Sequence, residues 1–404
     1  MEKKVFNNQT ILSIEDLKFK YNNKSLTLVI KKLNLQENKI ITLLGPSGSG
    51  KTTLLNLIAG FIKSKNIKIK NNLSINEIGY IMQNFSLYEN VSAKENIYVS
   101  AKNSFSWKYQ NKINFWFNFL ENNKNIKNKN KITLHLDKMQ NFIKLKKYSK
   151  IKWTLLKIEA KLFFNINFLK QLKKYKLKSF FEKDLKDIAK QLGIENILNK
   201  KANELSGGEK QRVAFAKSII KKNKLILMDE PFSALDAKIK EQTIDWLKKI
   251  QKIYNLSIII VTHDQIDAMQ ISDLILVLKN GEIQQLGTSQ ELYDDPKNLF
   301  VAKFIGFPEI HKIGENKDFW FFVRDNKMFL TKNKNGKWKV KDKKIIGDFC
   351  IFNLETLDNN KFAKSKWNCK DFEIDDKLNL YFHKNDLIIF DKKTEQRVYN
   401  EKNK

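Results

Sequence analysis

The sequence predicts an α/β fold built on a parallel sheet, followed by a small β-rich domain. Three observations predict it. First, "KIITLLG" (residues 39–45), "KLILMDE" (224–230) and "LSIIIVTH" (256–263) are short, apolar, β-branched runs that read as buried strands. Second, helical stretches separate them, and fully apolar strands alternating with helices belong in parallel sheets covered on both faces. Third, from about residue 303 the pattern becomes "DFWFFV", "GKWKVKD", "GDFCIFNLE" and "LNLYFHKNDLIIFD", the short aromatic strands of a β-domain.

The elements follow in order. The first residues, "MEKKVFNNQTILSIEDL", have no apolar stretch of the kind a signal peptide needs, so none is expected. No run of about 18 uncharged apolar residues occurs, so no membrane span is expected. After the strand at 39–45 comes a glycine-rich turn, then "KTTLLNLIAGF", which reads as a helix. "ALDAKIKEQTIDWLKKIQKI" sets Leu235, Ile239, Ile244, Leu247 and Ile250 near one helical face.

Composition bounds the partners. A length of 404 residues implies two or three domains. The net charge of +31 permits an acidic partner: nucleic acid, an anionic membrane or a nucleotide. Coding bias accounts for part of it, because Lys and Asn are heavily used and the arginines are Arg212, Arg324 and Arg397. Cys350 and Cys369 could pair, but two thiols suit a reducing compartment equally, and small packing residues is the reading taken.

"GPSGSGKT" fits the phosphate-loop pattern G-x-x-x-x-G-K-[ST], and it lies between a strand and a helix, the context the pattern requires. Its backbone N–H groups can wrap an anion at the positive end of a helix. Lys51 reaches the β- and γ-phosphates, and Thr52 offers a hydroxyl to Mg²⁺. Asp229 and Glu230 end a strand at the edge where ligands gather, suited to hold Mg²⁺ through water and to polarise the attacking water. His263 ends another strand and converges on the same edge. Gln83 follows a short apolar run and is by itself an ordinary surface glutamine. In "LSGGEKQR", Ser206 and Glu209 match a capping box, yet capping does not require Gly207 and Gly208. Two glycines let something bulky approach the backbone.

"GPSGSGKTT", Gln83, "LSGGEKQR", "LILMDEP", "SALD" and "VTHD", in this order, resemble an ATP-binding cassette ATPase over most of 10–100 and 183–310. The resemblance implies a P-loop NTPase fold: a RecA-like parallel sheet with an antiparallel β subdomain and a helical subdomain, then a small OB- or TOBE-like β-barrel. It implies an ATP site of Gly45, Pro46, Ser47, Gly48, Ser49, Gly50, Lys51, Thr52 and Thr53, with Tyr21 stacked on adenine. Mg²⁺ falls to Thr52, Gln83 and Asp229. Glu230, His263 and Gln83 are the catalytic set, and Asp236 couples two sites. Ser206, Gly207, Gly208 and Glu209 form a signature that meets the ATP of a second cassette. That second cassette is a homodimer partner or a close paralogue.

"GEIQQLGTSQELYDDPKNLFVAKFIG" is similar to importer ATPases for sugars, glycerol phosphate and polyamines. "FIGFPEI" leans toward the sugar and glycerol-phosphate type, with a spermidine/putrescine importer as the alternative. The resemblance further implies two transmembrane permease subunits, an indirectly coupled extracellular solute-binding protein, and a peripheral place on the cytoplasmic membrane face. Two other classes compete. A soluble cassette protein acting on nucleic acid or ribosomes would suit the charge, but one cassette without sustained heptads argues against it, so nucleic acid is not expected as a partner. An exporter is disfavoured by the β-rich tail. Departures exist: Lys217 stands where such proteins commonly have Arg, and Glu209 where Gln is frequent.

The expected domains are 1–100 and 183–302 for the cassette core, 101–182 for an insertion in the helical subdomain, and 303–404 for the β-rich regulatory part. Typical members of the resembled family lack an insertion of this size. Residues 101–180 hold 20 Lys against Glu121, Asp137 and Glu159, with no Gly or Pro. Three readings compete: a disordered, coding-biased segment; a nucleic-acid binder; and a helical extension lying on the membrane face or the membrane subunits. The last is adopted, because Trp107, Phe115, Trp116, Phe117, Phe119, Trp153, Phe163, Phe164 and Phe168 argue against disorder. "ENNKNIKNKNK" (121–131) reads as an exposed loop.

Overall fold

The computed structural model describes residues 10–21, 27–63, 67–69, 78–82, 87–123, 126, 129–145, 147–163, 165–233, 235–347, 349–357 and 362–399. Gln83 and Phe164 lie outside them. The chain divides into two units, one of residues 1–273 and 279–282, the other of 274–278 and 283–404.

The first unit opens with β1 (Thr10–Phe19), β2 (Leu28–Gln36) and β3 (Ile40–Leu44); helix α1 (Lys51–Ala59), β4 (Ile67–Ile69) and β5 (Gly79–Ile81) follow. β1 pairs antiparallel with β2 and with β4. Further along are β6 (Leu225–Asp229) and β7 (Ser257–Thr262). β7 runs parallel between β3 and β6, and β5 pairs parallel with the other side of β6. The apolar runs form the expected strands. Ile226, Met228, Ile258 and Ile260 share one packed cluster, while the alternating Leu227, Ile259 and Val261 are equally buried. Period-two alternation therefore puts a covered layer on each face, as uniform hydrophobicity requires.

Ten helices of this unit are named, α1 being followed by α2 (Ala93–Asn103), α3 (Phe105–Asn122), α4 (Lys129–Lys144), α5 (Tyr148–Leu162), α6 (Ile166–Gln171), α7 (Leu177–Leu192), α8 (Gly207–Ile219), α9 (Ala237–Tyr254) and α10 (Gln265–Ile271). α7, α8 and α9 present Leu185, Phe215 and Leu247 to the cluster under the sheet. The face expected for α9 is narrower than the spacing suggested: Ile244, Leu247 and Ile250 are buried, but Ile239 in the first turn is exposed.

The lysine-rich insertion is folded. α3 to α6 enclose their own core, in which Ile113, Trp116, Phe119, Leu136, Ile151 and Phe168 are buried. Trp116 stacks obliquely on Phe168 and meets Tyr175 edge-on, with its Nε1–H donated to the Tyr175 hydroxyl at 3.3 Å. Burying a side chain of this size contributes about 2–3 kcal/mol. The aromatics thus order the segment, as expected, but most of the described ones turn inward, leaving Phe105, Trp153 and Phe163 exposed. The span 121–131 is not one exposed loop, since α3 and α4 take its ends and Ile126 is buried in the core. The insertion is anchored to the cassette at Asp184 on α7. Its carboxylate accepts from Trp107 Nε1 at 2.8 Å and Asn111 Nδ2 at 3.3 Å, and pairs with Lys222, just past α8, at 3.0 Å.

The second unit carries β8 (Leu274–Lys279) and β9 (Glu282–Gly287) in all but their shared hairpin, then α11 (Ser289–Asp294) and α12 (Leu299–Phe304). Nine strands follow: β10 (His311–Glu315), β11 (Phe319–Val323), β12 (Phe329–Lys332), β13 (Trp338–Ile346), β14 (Phe349–Thr356), β15 (Phe362–Asn368), β16 (Lys377–Tyr381), β17 (Ile388–Asp391) and β18 (Arg397–Val398). They make two antiparallel sheets, β10-β11-β17-β18 and β12-β16-β13-β14-β15. Cys350 on β14 and Cys369 after β15 are joined as a disulfide, which corrects the reading of two unpaired packing residues. Pairing of β14 with β15 brings the two positions together, a proximity that 19 residues of separation did not reveal.

Arg324 crosslinks this unit from inside. Its Nη1 donates to the carbonyls of Ala302 and Ile305 at 2.9 and 2.7 Å, and its Nε to that of Tyr293 at 2.9 Å. His311 on β10 is buried, and its Nδ1 accepts from the Lys364 backbone N–H at 3.4 Å. Burial first, then the charges of Lys364 and Arg324, push the imidazole down to about 4. Between that value and the ordinary pKa of about 6.5, the unfolded chain binds a proton that the folded one excludes. The resulting stability is complete above the unfolded pKa and is lost as pH falls toward the folded one. We expect acidification across this window to cost this unit about 3 kcal/mol. Denaturant melts of the wild type and His311→Gln at stepped pH check it: the variant should lose the slope, and equal slopes would exclude His311 as the source.

Candidate functional site

Parallel pairing places three strand ends side by side. Leu44 of β3 is in register with Thr262 of β7, and Asp229 of β6 with Val261. The glycine-rich loop, Glu230 and His263 therefore leave the sheet at one edge, as anticipated. Thr27, Ser47, Gly48, Gly50, Lys51, Thr52, Thr53, Glu230 and His263 line a cleft of 690 Å³ there.

The loop is shaped by its backbone. Gly50 caps α1 at φ 97°, and a Cβ there would stand 2.8 Å from Leu28 Cδ2, so glycine is required twice over. Lys51 is buried and donates from Nζ to the carbonyls of Gly45 and Pro46, each at 2.8 Å. Burial pushes its ammonium pKa down, while the carboxylates of Glu230 and Asp229 pull it back. Ser49 Oγ is buried and has no hydrogen-bond partner among the described residues. Lysine charge, helix N-terminus and unpaired hydroxyl make this a lobe for an anion.

Asp229 faces the opposite balance. Burial, then Glu230, raise its carboxyl pKa, and Lys51 lowers it. A cation that displaced this repulsion would be favoured there. Tyr80 on β5, missed from sequence, is pushed up to about 12 by burial and by Asp229, and its hydroxyl donates to Asn56 Oδ1 at 3.2 Å.

Glu230 has φ 48°, the left-handed region that a glutamate occupies only at a cost of about 1–3 kcal/mol. Its N–H donates to the Val261 carbonyl at 2.9 Å, and its own carbonyl accepts from Ser233 Oγ at 3.0 Å. These bonds hold the twist and aim the carboxylate at His263, whose Nδ1 lies 2.8 Å from Glu230 Oε1. His263 is positioned in turn by Asp264, which caps α10 by accepting from the N–H groups of Ile266 and Asp267. The pair can hold and orient a water and pass a proton.

The remaining predicted residues lie elsewhere. Ser206 caps α8, Glu209 N–H donating to its Oγ at 3.3 Å and Ser206 N–H to Glu209 Oε2 at 2.8 Å. These bonds hold the Glu209 carboxyl below its usual range. None of residues 206–209 lines the cleft. A Cβ on Gly208 would meet nothing within 4 Å, and one on Gly207 only Leu235 Cδ2 at 3.8 Å. The chain's own packing thus does not need either glycine. Asp236 caps α9, accepting from Ile239 N–H at 3.0 Å. Tyr21 is exposed, edge-on to Phe19, and does not line the cleft. Gln83 is outside the described residues.

Thr27 was missed, and no local pattern marks it. Gly281 fixes it: at φ 80° its N–H donates to Ser49 O, its carbonyl accepts from Val29 N–H, and a Cβ would stand 2.2 Å from Thr27 O.

Comparison with known proteins adds the following. The family model described as "ABC transporter" matches residues 30–233. The spermidine/putrescine import ATP-binding protein PotA of Mycoplasmopsis synoviae is 34% identical over 366 residues, covering 82% of this chain and 76% of that protein. Proteins of the same name from Aster yellows witches'-broom phytoplasma and Mesomycoplasma hyopneumoniae are 30% and 33% identical. The first alignment covers 81% of this chain and 80% of the relative, the second 75% of each.

Proposed function

The chain belongs to the ABC transporter family and hydrolyses ATP, and from that premise we propose that it drives an importer whose solute is a polyamine of the spermidine/putrescine type. The observation that carries the solute class is likeness to spermidine/putrescine import ATP-binding proteins over most of the chain. The sugar or glycerol-phosphate expectation rested on "FIGFPEI" alone and gives way to the polyamine alternative.

The residues of the cleft fit ATP and a divalent cation. The loop of Gly45 to Thr53 wraps the phosphates, and Lys51 exchanges its carbonyl partners for phosphate oxygens. Thr52 and Asp229 would hold Mg²⁺, which when bound neutralises phosphate charge. Glu230 orients the water and takes its proton, with His263 beside the reacting phosphate. Gly207 and Gly208, unneeded by their own fold, approach the ATP of a second copy or close paralogue. The chain stands as a peripheral subunit on the cytoplasmic membrane face, working with two permease subunits and an extracellular solute-binding protein. Among the described residues no helix is long and apolar enough to cross a membrane.

The test is reconstitution with its permease subunits and solute-binding protein. Spermidine or putrescine should stimulate ATP hydrolysis, and maltose or glycerol phosphate should not. Stimulation by a sugar alone would reject the polyamine reading and leave the ATPase assignment standing.

A further inference from the structure

α5 has two apolar faces. Ile151, Leu155, Ile158 and Leu162 face the insertion core. At 100° per residue they occupy an arc of about 60°. Trp153, Leu156 and Phe163 occupy another arc of about 80° on roughly the opposite side. These three are 67%, 45% and 54% exposed. Trp153 and Leu156, large exposed apolar side chains on a helix that already has a buried face, ask for a partner.

The charges around it say what kind. Lys150, Lys157 and Lys161 flank the stripe on one side and Lys152 on the other, all exposed. Glu159, the helix's carboxylate, is engaged by the Tyr175 hydroxyl and by Lys112 at 3.6 Å. The outward face is thus apolar along its middle and cationic along its rims. An anionic bilayer surface has the complementary layering: an apolar boundary that takes Trp, Leu and Phe, beneath phosphates that take Lys. RNA fits less well. Its phosphates would take the lysines, but it offers no continuous apolar layer to cover the aliphatic Leu156.

We propose that the outward face of α5 is a lipid-docking surface that lays Trp153, Leu156 and Phe163 into the headgroup layer of an anionic bilayer. The face is firmly mounted, because α5 packs on α3 and α4 and the Asp184 cluster pins α3 to α7 and to Lys222 beyond α8. The contact is separate from any with permease subunits and does not depend on the solute.

The full-length protein is floated with vesicles of equal parts phosphatidylcholine and phosphatidylglycerol, and with phosphatidylcholine alone. The wild type should float with the anionic vesicles, not the neutral ones, and less in high salt. Trp153→Ser with Leu156→Ser should lower vesicle partitioning about ten- to a hundredfold. Lys150→Glu, Lys152→Glu, Lys157→Glu and Lys161→Glu together should lower it at least as much. All substituted positions lie outside the core, so both variants should keep wild-type melting and ATP hydrolysis. Equal flotation of wild type and variants would overturn the proposal. So would capture only by permease subunits in neutral lipid, or preference for single-stranded RNA over anionic vesicles. None of these results would touch the transport reading, which the solute-stimulated ATPase assay tests separately.

Discussion

Glu230→Gln lowers steady-state ATP hydrolysis by about 10²–10⁴-fold, the usual cost of losing a general base. The amide keeps the size of the carboxylate but cannot take a proton from water. The backbone twist at φ 48° and the bonds to Val261 and Ser233 do not involve the side chain, so the variant should fold normally. Lys51 and the glycine-rich loop are untouched, and ATP binding persists. An ATP-bound dimer should therefore accumulate, seen by size exclusion with retained nucleotide. Hydrolysis near the wild-type rate would remove Glu230 from the base role.

Pairing Lys51→Ala protomers with Ser206→Arg protomers should leave about one occluded ATP per mixed dimer, where the proposed wild-type dimer should hold two. Lys51→Ala empties the phosphate loop of its buried cation, and Ser206→Arg puts a bulky side chain where Gly207 and Gly208 leave space. When residues 206–208 act on the partner's ATP, a mixed dimer places both lesions in one site and spares the other. When they act on their own chain's ATP, both sites are damaged. Occlusion of labelled nucleotide is the readout, because turnover can require both sites. Finding none in verified mixed dimers, with each site able to occlude alone, would reject action across the dimer. The losses at a damaged site should exceed about tenfold, since a buried charge or a steric block is involved in each case.

The cassette's strands were legible because they are short, fully apolar and rich in β-branched residues, features that together separate a buried strand from a buried helix. The phosphate loop and the Ser206 cap were legible because their chemistry is local: a handful of consecutive residues makes the turn, the helix start and the hydrogen bonds. His263 was harder. It became a candidate only by assuming that three strand ends meet, and the register of Leu44 with Thr262 and of Asp229 with Val261 is what brings it to Glu230.

The insertion marks the limit most clearly. Its sequence gives helices, aromatics and charge, but not which aromatics turn inward. Trp116 and Trp153 both lie within helices of the insertion; one is buried and the other exposed because packing of four helices decides the inward arc of each. Thr27 and Gly281, the bond between Cys350 and Cys369, and the carbonyls gathered by Arg324 are likewise contacts between distant segments. The sequence by itself determined the α/β class, the anion-binding loop and the acidic strand end, since each is written in adjacent residues. Only the tertiary structure decided which side chains converge, because convergence is set by strand register and helix packing, and neither leaves a signature shorter than the fold itself.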